Sequence, residues 1–415
     1  MASLTRNGGG STEHRPSATQ KPTLLVRSLA AVWTGTEVLG PCDLRLEGGV
    51  VTDVSPVGRL THEVGAIEVD GGGLIGMPGL VDCHTHAVWA GTRLGDFVRR
   101  LGGEAYATIL EGGGGIHTTV AATRGASTAE LLALTRARLR GMLAHGVTTV
   151  EVKSGYGLSS AEELRILEVA AAAAGPQRVV RTFLGAHTVP RDTPREVYLD
   201  ALVGPMLDAV AHHCDRVDVY CDRGAFTLAE AERIFVAARA RGIPITAHAE
   251  QVEHTGVAAL AARFGAQSCD HLERADEADI AAMAAAGTVA VLLPGAMLYL
   301  RDVCPPVAQL RAAGVPLAVA TDYNPGSSPV ADLWAAATLA ALTMGLSAEE
   351  ALAGITSVAA RALARPDLGR LEPGSAGDLA LFRPPPGEIH DPRVLVQHFG
   401  GHRAEQVFVE GVRVR

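Results

Sequence analysis

The sequence predicts an α/β protein, a (β/α)8 barrel carrying a small β-sandwich domain formed by its N- and C-terminal segments. Three observations lead there. Apolar β-type runs recur eight times through the middle of the chain, and helical Ala/Leu/Glu/Arg stretches fall between them. The two ends have a different texture, with short alternating runs broken by turn glycines. At 415 residues the chain is also long enough for one barrel-sized domain plus something smaller.

Taken in order, residues 1–23 are rich in Gly, Ser and Thr, lack a basic-plus-apolar leader, and read as a disordered tail. From Leu24 to about Asp70 the segments LLVRSLAAVWTG, CDLRLEGGVVTDVSP and GAIEVDGGG have strand character, and GDLALFRP and AEQVFVEGVRVR repeat it near the far end. The small β domain is therefore expected over 24–71 and 372–415, and the barrel over 72–371. Within the barrel the eight strands are LIGMPGLVDC, GVTTVEV, RVVRTFLGA, RVDVYC, IPITAHA, AQSCDH, TVAVLLP and VPLAVATD. Helical periodicity falls at Thr128–His145, Ser160–Ala174, Leu228–Arg241, Ala275–Ala286 and Val307–Ala313. Eight such units fit a closed barrel better than an open doubly wound sheet, and no G-x-G-x-x-G follows a strand.

Composition narrows the function. A net charge of −9 gives no electrostatic footprint for nucleic acid or a membrane surface. No apolar run approaches the roughly 18–20 residues that span a bilayer. Six cysteines without paired spacing point to free thiols in the cytoplasm. All but two of the 36 basic residues are arginine: Lys21 and Lys153 are the lysines, and Asn7 and Asn324 the asparagines.

A barrel places its chemistry where strands end. The first strand ends in Asp82-Cys83-His84-Thr85-His86, and residues two apart share a face, so both imidazoles can converge on one point. The fifth ends in His248-Ala249-Glu250-Gln251, the sixth in Asp270-His271 and the eighth in Thr321-Asp322. His84, His86, His248 and Asp322 offer three nitrogens and one oxygen, a set suited to Zn²⁺ or iron.

That order of motifs resembles the amidohydrolase superfamily, with HxH on strand one, His on strands five and six and Asp on strand eight. The segments PGLVDCHTHAVWAGTR, GGGGI, EVKSGYG, FLGAHTVP, HAEQ, DHLE and ATDYNPGS narrow the resemblance to its imidazolonepropionase family. The resemblance covers nearly the whole chain. It implies one Zn²⁺ or Fe²⁺/Fe³⁺ per chain on His84, His86, His248 and Asp322. Arg93, Tyr156, His187, Gln251, Asn324, Gly326 and Ser327 match positions that hold substrate or product, and His271 matches a histidine near the metal's water. It further implies a small-molecule substrate, imidazolone propionate, and a homodimer.

The expected reaction opens the cyclic amide of 4-imidazolone-5-propanoate to N-formimidoyl-L-glutamate. Asp322 is the candidate base, with His271 orienting the water. Some relatives carry a Glu three residues after the strand-five histidine; here that position is Gln251, and the neighbouring Glu250 is the remaining candidate for proton transfer. Arg93, in the loop beyond His86, is suited to a propionate carboxylate. Strand four, Val217-Asp218-Val219-Tyr220-Cys221, lacks the lysine that bridges paired metals in relatives, which predicts a single ion. The alternative activity is that of a nucleobase or triazine aminohydrolase, for which Arg93 would have no carboxylate to pair. A non-enzymatic scaffold would have lost ligands that are all present.

Other features have plainer readings. Gly112–Gly115 lacks a following GK[ST] and is read as a loop closing over the site. His117, His145, His254 and His402 are expected to be structural or surface residues, Cys83 and Cys269 to pack, and Trp89 to form a wall. Lys153, beside Tyr156, is expected to hold neighbouring loops or charges around the site, because a compact ammonium differs from the arginine that composition would supply.

Overall fold

The computed structural model describes residues 21–104 and 114–415. Most of the expected tail and Gly112–Gly113 lie outside the described residues. The first seven strands are β1 (Leu24–Leu29), β2 (Ala31–Trp33), β3 (Val38–Leu39), β4 (Cys42–Glu47), β5 (Val50–Pro56), β6 (Ile67–Asp70) and β7 (Ile75–Pro78). The barrel follows with β8 (Leu80–Asp82), β9 (Val147–Lys153), β10 (Arg178–Ala186), β11 (Arg216–Cys221), β12 (Ala247–Ala249), β13 (Ser268–His271), β14 (Val289–Leu292) and β15 (Leu317–Val319). The chain returns with β16 (Leu379–Phe382), β17 (Gln406–Val409) and β18 (Val412–Arg413).

Strands β8 to β15 form one eight-stranded sheet in sequence order, every neighbouring pair parallel. The seam between its two ends is closed at the top by residues just past the strands. Asp322 N–H donates to the His84 carbonyl at 3.0 Å, and His86 N–H to the Tyr323 carbonyl at 3.1 Å. Below them Thr321 donates both its N–H and its hydroxyl to the Asp82 carboxylate. The HTH segment is thus fixed by the closure of the barrel itself.

The remaining strands make two sheets, one ordered β5-β4-β1-β6 and the other β18-β17-β16-β7-β2-β3. Leu24, Val26, Leu44, Leu46, Val51, Leu379, Leu381 and Phe408 are buried in one core that draws on both. They form a small β domain beside the barrel. The apolar run Leu74–Cys83, expected as one strand, is two. Ile75–Pro78 pairs with β16 in the small domain, and the barrel strand begins only at Leu80. Gly79 is the crossing point: a Cβ there would lie 2.2 Å from Thr148 Oγ1 and 2.8 Å from Asp378 Cβ. Only glycine lets the chain pass so close.

The helices start where caps predict. Ser127 accepts from Glu130 N–H before Thr128–Ala144, and Ser159 from Glu162 N–H before Ser160–Ala173. Full capping boxes open Leu228–Ala240 and Glu277–Ala286. Phe183, Phe235 and Trp334 lie fully buried in the main apolar cluster, and each contributes about 2–3 kcal/mol by leaving water. Cys83 and Cys269 are buried in these clusters, and burial pushes both thiols well up, as packing residues require. All six cysteines are free. No helix among the described residues is long and apolar enough to cross a membrane.

Candidate metal centre and substrate cavity

His84 and His86 project inward from the same side of the extended segment that continues β8, as two-residue alternation requires. Asp322, just past β15, holds its Oδ1 3.5 Å from His84 Nε2 and 3.4 Å from His86 Nε2. The His248 ring lies 4.6 Å from the His84 ring and 5.5 Å from the His86 ring. His271 completes the ring of imidazoles, 5.4 Å from His248 and 5.9 Å from His84. All five side chains are buried.

Glu250, His271, Leu272 and Asp322 have φ of 54°, 80°, 72° and 51°. Left-handed backbone costs an ordinary residue about 1–2 kcal/mol. It occurs here at or just past the C-terminal ends of β12, β13 and β15, where each strand turns into the loop that follows.

The donors fit a cation. The Nε2 atoms of His84 and His248 are buried with no hydrogen-bond partner among the described residues. Their other nitrogens face carboxylates: His84 Nδ1 lies 2.6 Å from Asp270 Oδ2, and His248 Nδ1 lies 3.0 Å from Asp218 Oδ2. A proton held on Nδ1 leaves the Nε2 lone pair pointing at the centre, the usual arrangement of ligating histidines. Burial pushes His86 down, and His248 down to about 3. Against burial and the Lys153 charge, the Asp270 and Asp322 carboxylates push His84 up to about 9. Burial would raise Asp322, but His84 and His86 hold it well below the usual carboxylate range.

A cavity of about 750 Å³ opens over this group. Arg93, Tyr156, His187, Gln251, Asn324, Gly326 and Ser327 all line it. The His187 ring stacks on His86 at 5.1 Å and leans on Tyr156 at 5.4 Å. Its Nδ1 donates to the Gly155 carbonyl at 3.2 Å, and burial keeps the ring neutral, so Nε2 is left as an acceptor. Arg93 is fixed by Asp96 at 2.6 Å and by Thr119 at 3.3 Å.

Two expectations change. The Glu250 carboxylate accepts from Thr255 N–H at 2.6 Å and Ala258 N–H at 3.0 Å and is not among the residues that line the cavity, which leaves the proton-transfer role expected of it without support from this geometry. It stabilises the turn into the helix Val257–Arg263, whose orphan N–H groups need an acceptor. Asn324 lines the cavity, but its amide is fully engaged within its own loop. It donates to the Asp322 carbonyl and to Ser327 Oγ, and accepts from Gly326 and Ser327 N–H. It shapes the loop and has no donor left for a ligand.

Of the histidines read as structural, His117 lines the cavity, whereas His145 bonds to the His402 carbonyl and His254 to Asp279. Trp89 forms a wall between the Tyr323 ring and the Arg138 guanidinium. Arg191, Tyr220 and Arg223 line the cavity without having been singled out in the sequence. The carboxylates Asp218 and Asp270 were also given no role. Their signal was present, since a charged residue inside an apolar barrel strand is rarely buried unless paired.

A family model described as "Amidohydrolase family" matches residues 90–415. The chain belongs to the amidohydrolase family, and a metal cofactor follows from that membership together with the buried donor set. Its curated relatives include imidazolonepropionases. That of Stenotrophomonas maltophilia is 48% identical over 358 residues, covering 85% of this chain and 87% of the relative. That of Xanthomonas oryzae pv. oryzae is 50% identical over 329 residues, covering 78% and 81%. Among solved structures, an adenosine deaminase from Xanthomonas campestris with bound zinc superimposes with a TM-score of 0.73 at 20% identity, covering 95% of this chain and 93% of the other. A zinc complex of atrazine chlorohydrolase from Arthrobacter aurescens gives 0.70 at 21%, covering 94% and 95%. These two share the fold.

Proposed function

We infer that the protein is an imidazolonepropionase. It hydrolyses the cyclic amide C–N bond of 4-imidazolone-5-propanoate to N-formimidoyl-L-glutamate, a step of histidine degradation. The observation that carries this reading is 48–50% identity to imidazolonepropionases over most of the chain, joined to a cavity whose floor is a buried His/Asp cluster and whose wall holds an arginine.

His84, His86, His248 and Asp322 would hold one Zn²⁺ or iron ion. Such an ion, when bound, polarises a carbonyl and supplies a water nucleophilic near pH 7. Arg93 binds the propionate carboxylate by charge-assisted hydrogen bonds and so fixes the ring over the cluster. His187 accepts the ring N–H at its Nε2, and Tyr156 bounds the ring from the side. Asp322, ionised at neutral pH, takes the proton of the attacking water, and His271 orients that water. The water oxygen bonds to the ring carbonyl carbon and the bond from that carbon to the ring nitrogen breaks. The proton held by Asp322 passes to the leaving nitrogen, which ends in the formimidoyl group, and the carbonyl becomes a carboxylic acid that releases its proton to solvent as the carboxylate of the glutamate.

The family resemblance supports a homodimer, and the free cysteines support a reducing compartment such as the cytoplasm. The test is a direct spectrophotometric assay of 4-imidazolone-5-propanoate consumption, with the metal identified in the same preparation. Turnover of nucleobases with none of the imidazolone would overturn the assignment.

A further inference from the structure

Lys153 is one of the largest fully buried side chains in the molecule, at 1% exposure. Its ammonium lies 2.8 Å from Glu151 Oε1, 2.8 Å from Asp218 Oδ2 and 3.6 Å from Asp270 Oδ2. Two of those oxygens also face imidazoles, Asp218 Oδ2 at His248 Nδ1 and Asp270 Oδ2 at His84 Nδ1. One cation therefore sits behind two histidines that come from different strands. The third carboxylate reaches the same motif from below: Glu151 Oε2 accepts from Thr85 N–H at 3.2 Å, between His84 and His86, and Lys153 N–H donates to the Thr85 carbonyl at 2.9 Å. Arg216, the other buried cation nearby, donates to the Ala362 carbonyl and makes no ion pair among the described residues.

We infer that Lys153 is a positioning residue for the metal centre, acting through Asp218 and Asp270 to set the orientation and tautomer of His248 and His84. The inference rests on the ligand assignment proposed above and extends it to a residue that touches neither metal nor substrate. The physical reason is that, apart from the imidazole it faces, each carboxylate is anchored through its Oδ1 alone, Asp218 by His248 N–H at 3.1 Å and Asp270 by Ser268 Oγ–H at 2.7 Å, so the ammonium decides where the second oxygen lies. The ammonium holds one oxygen of Asp218 close and draws one of Asp270 toward it. Each of these shared oxygens remains in reach of an Nδ1–H, so each Nε2 lone pair is directed at one point. A lysine suits the task because its three donors diverge from a single compact centre. A planar guanidinium cannot meet three carboxylates arranged around one atom in a closed space. Partners behind ligating histidines are worth about 10–100-fold in metal affinity.

The test uses the full chain stripped of metal, with zinc affinity measured by competition against a chromophoric chelator and the electronic spectrum recorded after Co²⁺ loading. Lys153→Arg keeps the charge, and Lys153→Met combined with Glu151→Gln keeps the net charge while removing the ammonium. If either is folded by circular dichroism, it is expected to lose tenfold or more in zinc affinity and to show altered Co²⁺ ligand-field bands. Zinc affinity within twofold of the parent, with an unchanged Co²⁺ spectrum, would overturn the inference. His248→Ala is the accompanying arm: retention of tight zinc binding there would remove the ligand assignment itself. Loss of binding in His248→Ala beside intact binding in the Lys153 variants would remove only the role of Lys153.

Discussion

Gly326→Ala is a one-carbon test of the carboxylate-binding role proposed for Arg93. Gly326 lacks a left-handed φ, so alanine can adopt its backbone without strain, and its N–H bond to Asn324 Oδ1 is retained. The added Cβ would lie 2.9 Å from Arg93 Nη1, 3.4 Å from Cζ and 3.6 Å from Nη2. Ordinary contact begins near ~3.5 Å, so the guanidinium must withdraw by roughly half an ångström. It is not free to slide, because its Nε is held by Asp96 at 2.6 Å. A hydrogen bond to a charged group contributes about 1.5–3 kcal/mol, and misplacing the fork forfeits about half of that. The expected result is a KM raised about tenfold with kcat changed by less than threefold. The assay is steady-state loss of substrate absorbance for the parent, Gly326→Ala, Arg93→Ala and the double variant. In the Arg93→Ala background the clash has no target, so the second substitution should add nothing. A KM within twofold of the parent, or an equal rise in both backgrounds, would refute the argument.

Arg93→Ala alone should raise KM by about 10–100-fold with a smaller change in kcat, since it removes a contact remote from the bond that breaks; an unchanged KM would exclude the carboxylate role. Chelation should abolish activity and one equivalent of Zn²⁺ or Fe²⁺ restore it, whereas metal analysis finding two tightly bound ions per chain would contradict the single site. Arg138 donates to the Ala87 and Trp89 carbonyls at 2.9 and 2.8 Å and covers the Trp89 ring. Arg138→Met should therefore lower stability in urea by about 2–4 kcal/mol, and a shift under 0.5 kcal/mol would show that the wall stands without it. The Arg195 guanidinium pushes the Glu230 carboxyl down to about 2. Because the folded value is depressed, its stabilisation is present above the unfolded value of about 4.3 and disappears as pH falls through about 2. Discounted for solvent screening it is worth about 1 kcal/mol. The urea midpoints of Glu230→Gln and the parent should differ at pH 7, draw together below about pH 4 and meet only near pH 2, and a constant gap would exclude the ion pair as the cause.

The barrel and the convergence of its histidines with Asp322 were legible because they depend on periodicity. Strand alternation puts His84 and His86 on one face, and the rule that chemistry gathers at strand ends selects His248, His271 and Asp322. Side-chain direction after a strand ends obeys no such period. Glu250 and His271 both take left-handed backbone, yet one turns its side chain out to a helix terminus and the other into the cavity. Nothing in HAEQ or DHLE encodes that difference. Asn324 was rightly singled out as unusual, but an asparagine that closes its own loop and one that grips a ligand look alike in sequence. The break at Gly79 was hidden because both sides of it are apolar and extended. Lys153 was marked only by its rarity, and its three carboxylate neighbours emerged once β9, β11 and β13 were brought together in space.

The six-stranded sheet has a consequence for how the protein is made. Its order places β7, from residues 75–78, between β2 and β16, and β16 begins only at residue 379. During synthesis the ribosome must therefore deliver some 300 further residues while one edge of β7 waits without a partner. An open strand edge of this kind pairs readily with other chains. Premature termination before β16 would leave it uncovered permanently, even though the barrel strands had all emerged. Yield of soluble protein should then respond more sharply to loss of the C-terminal strands, or to slow translation through them, than their distance from the active centre would lead one to expect.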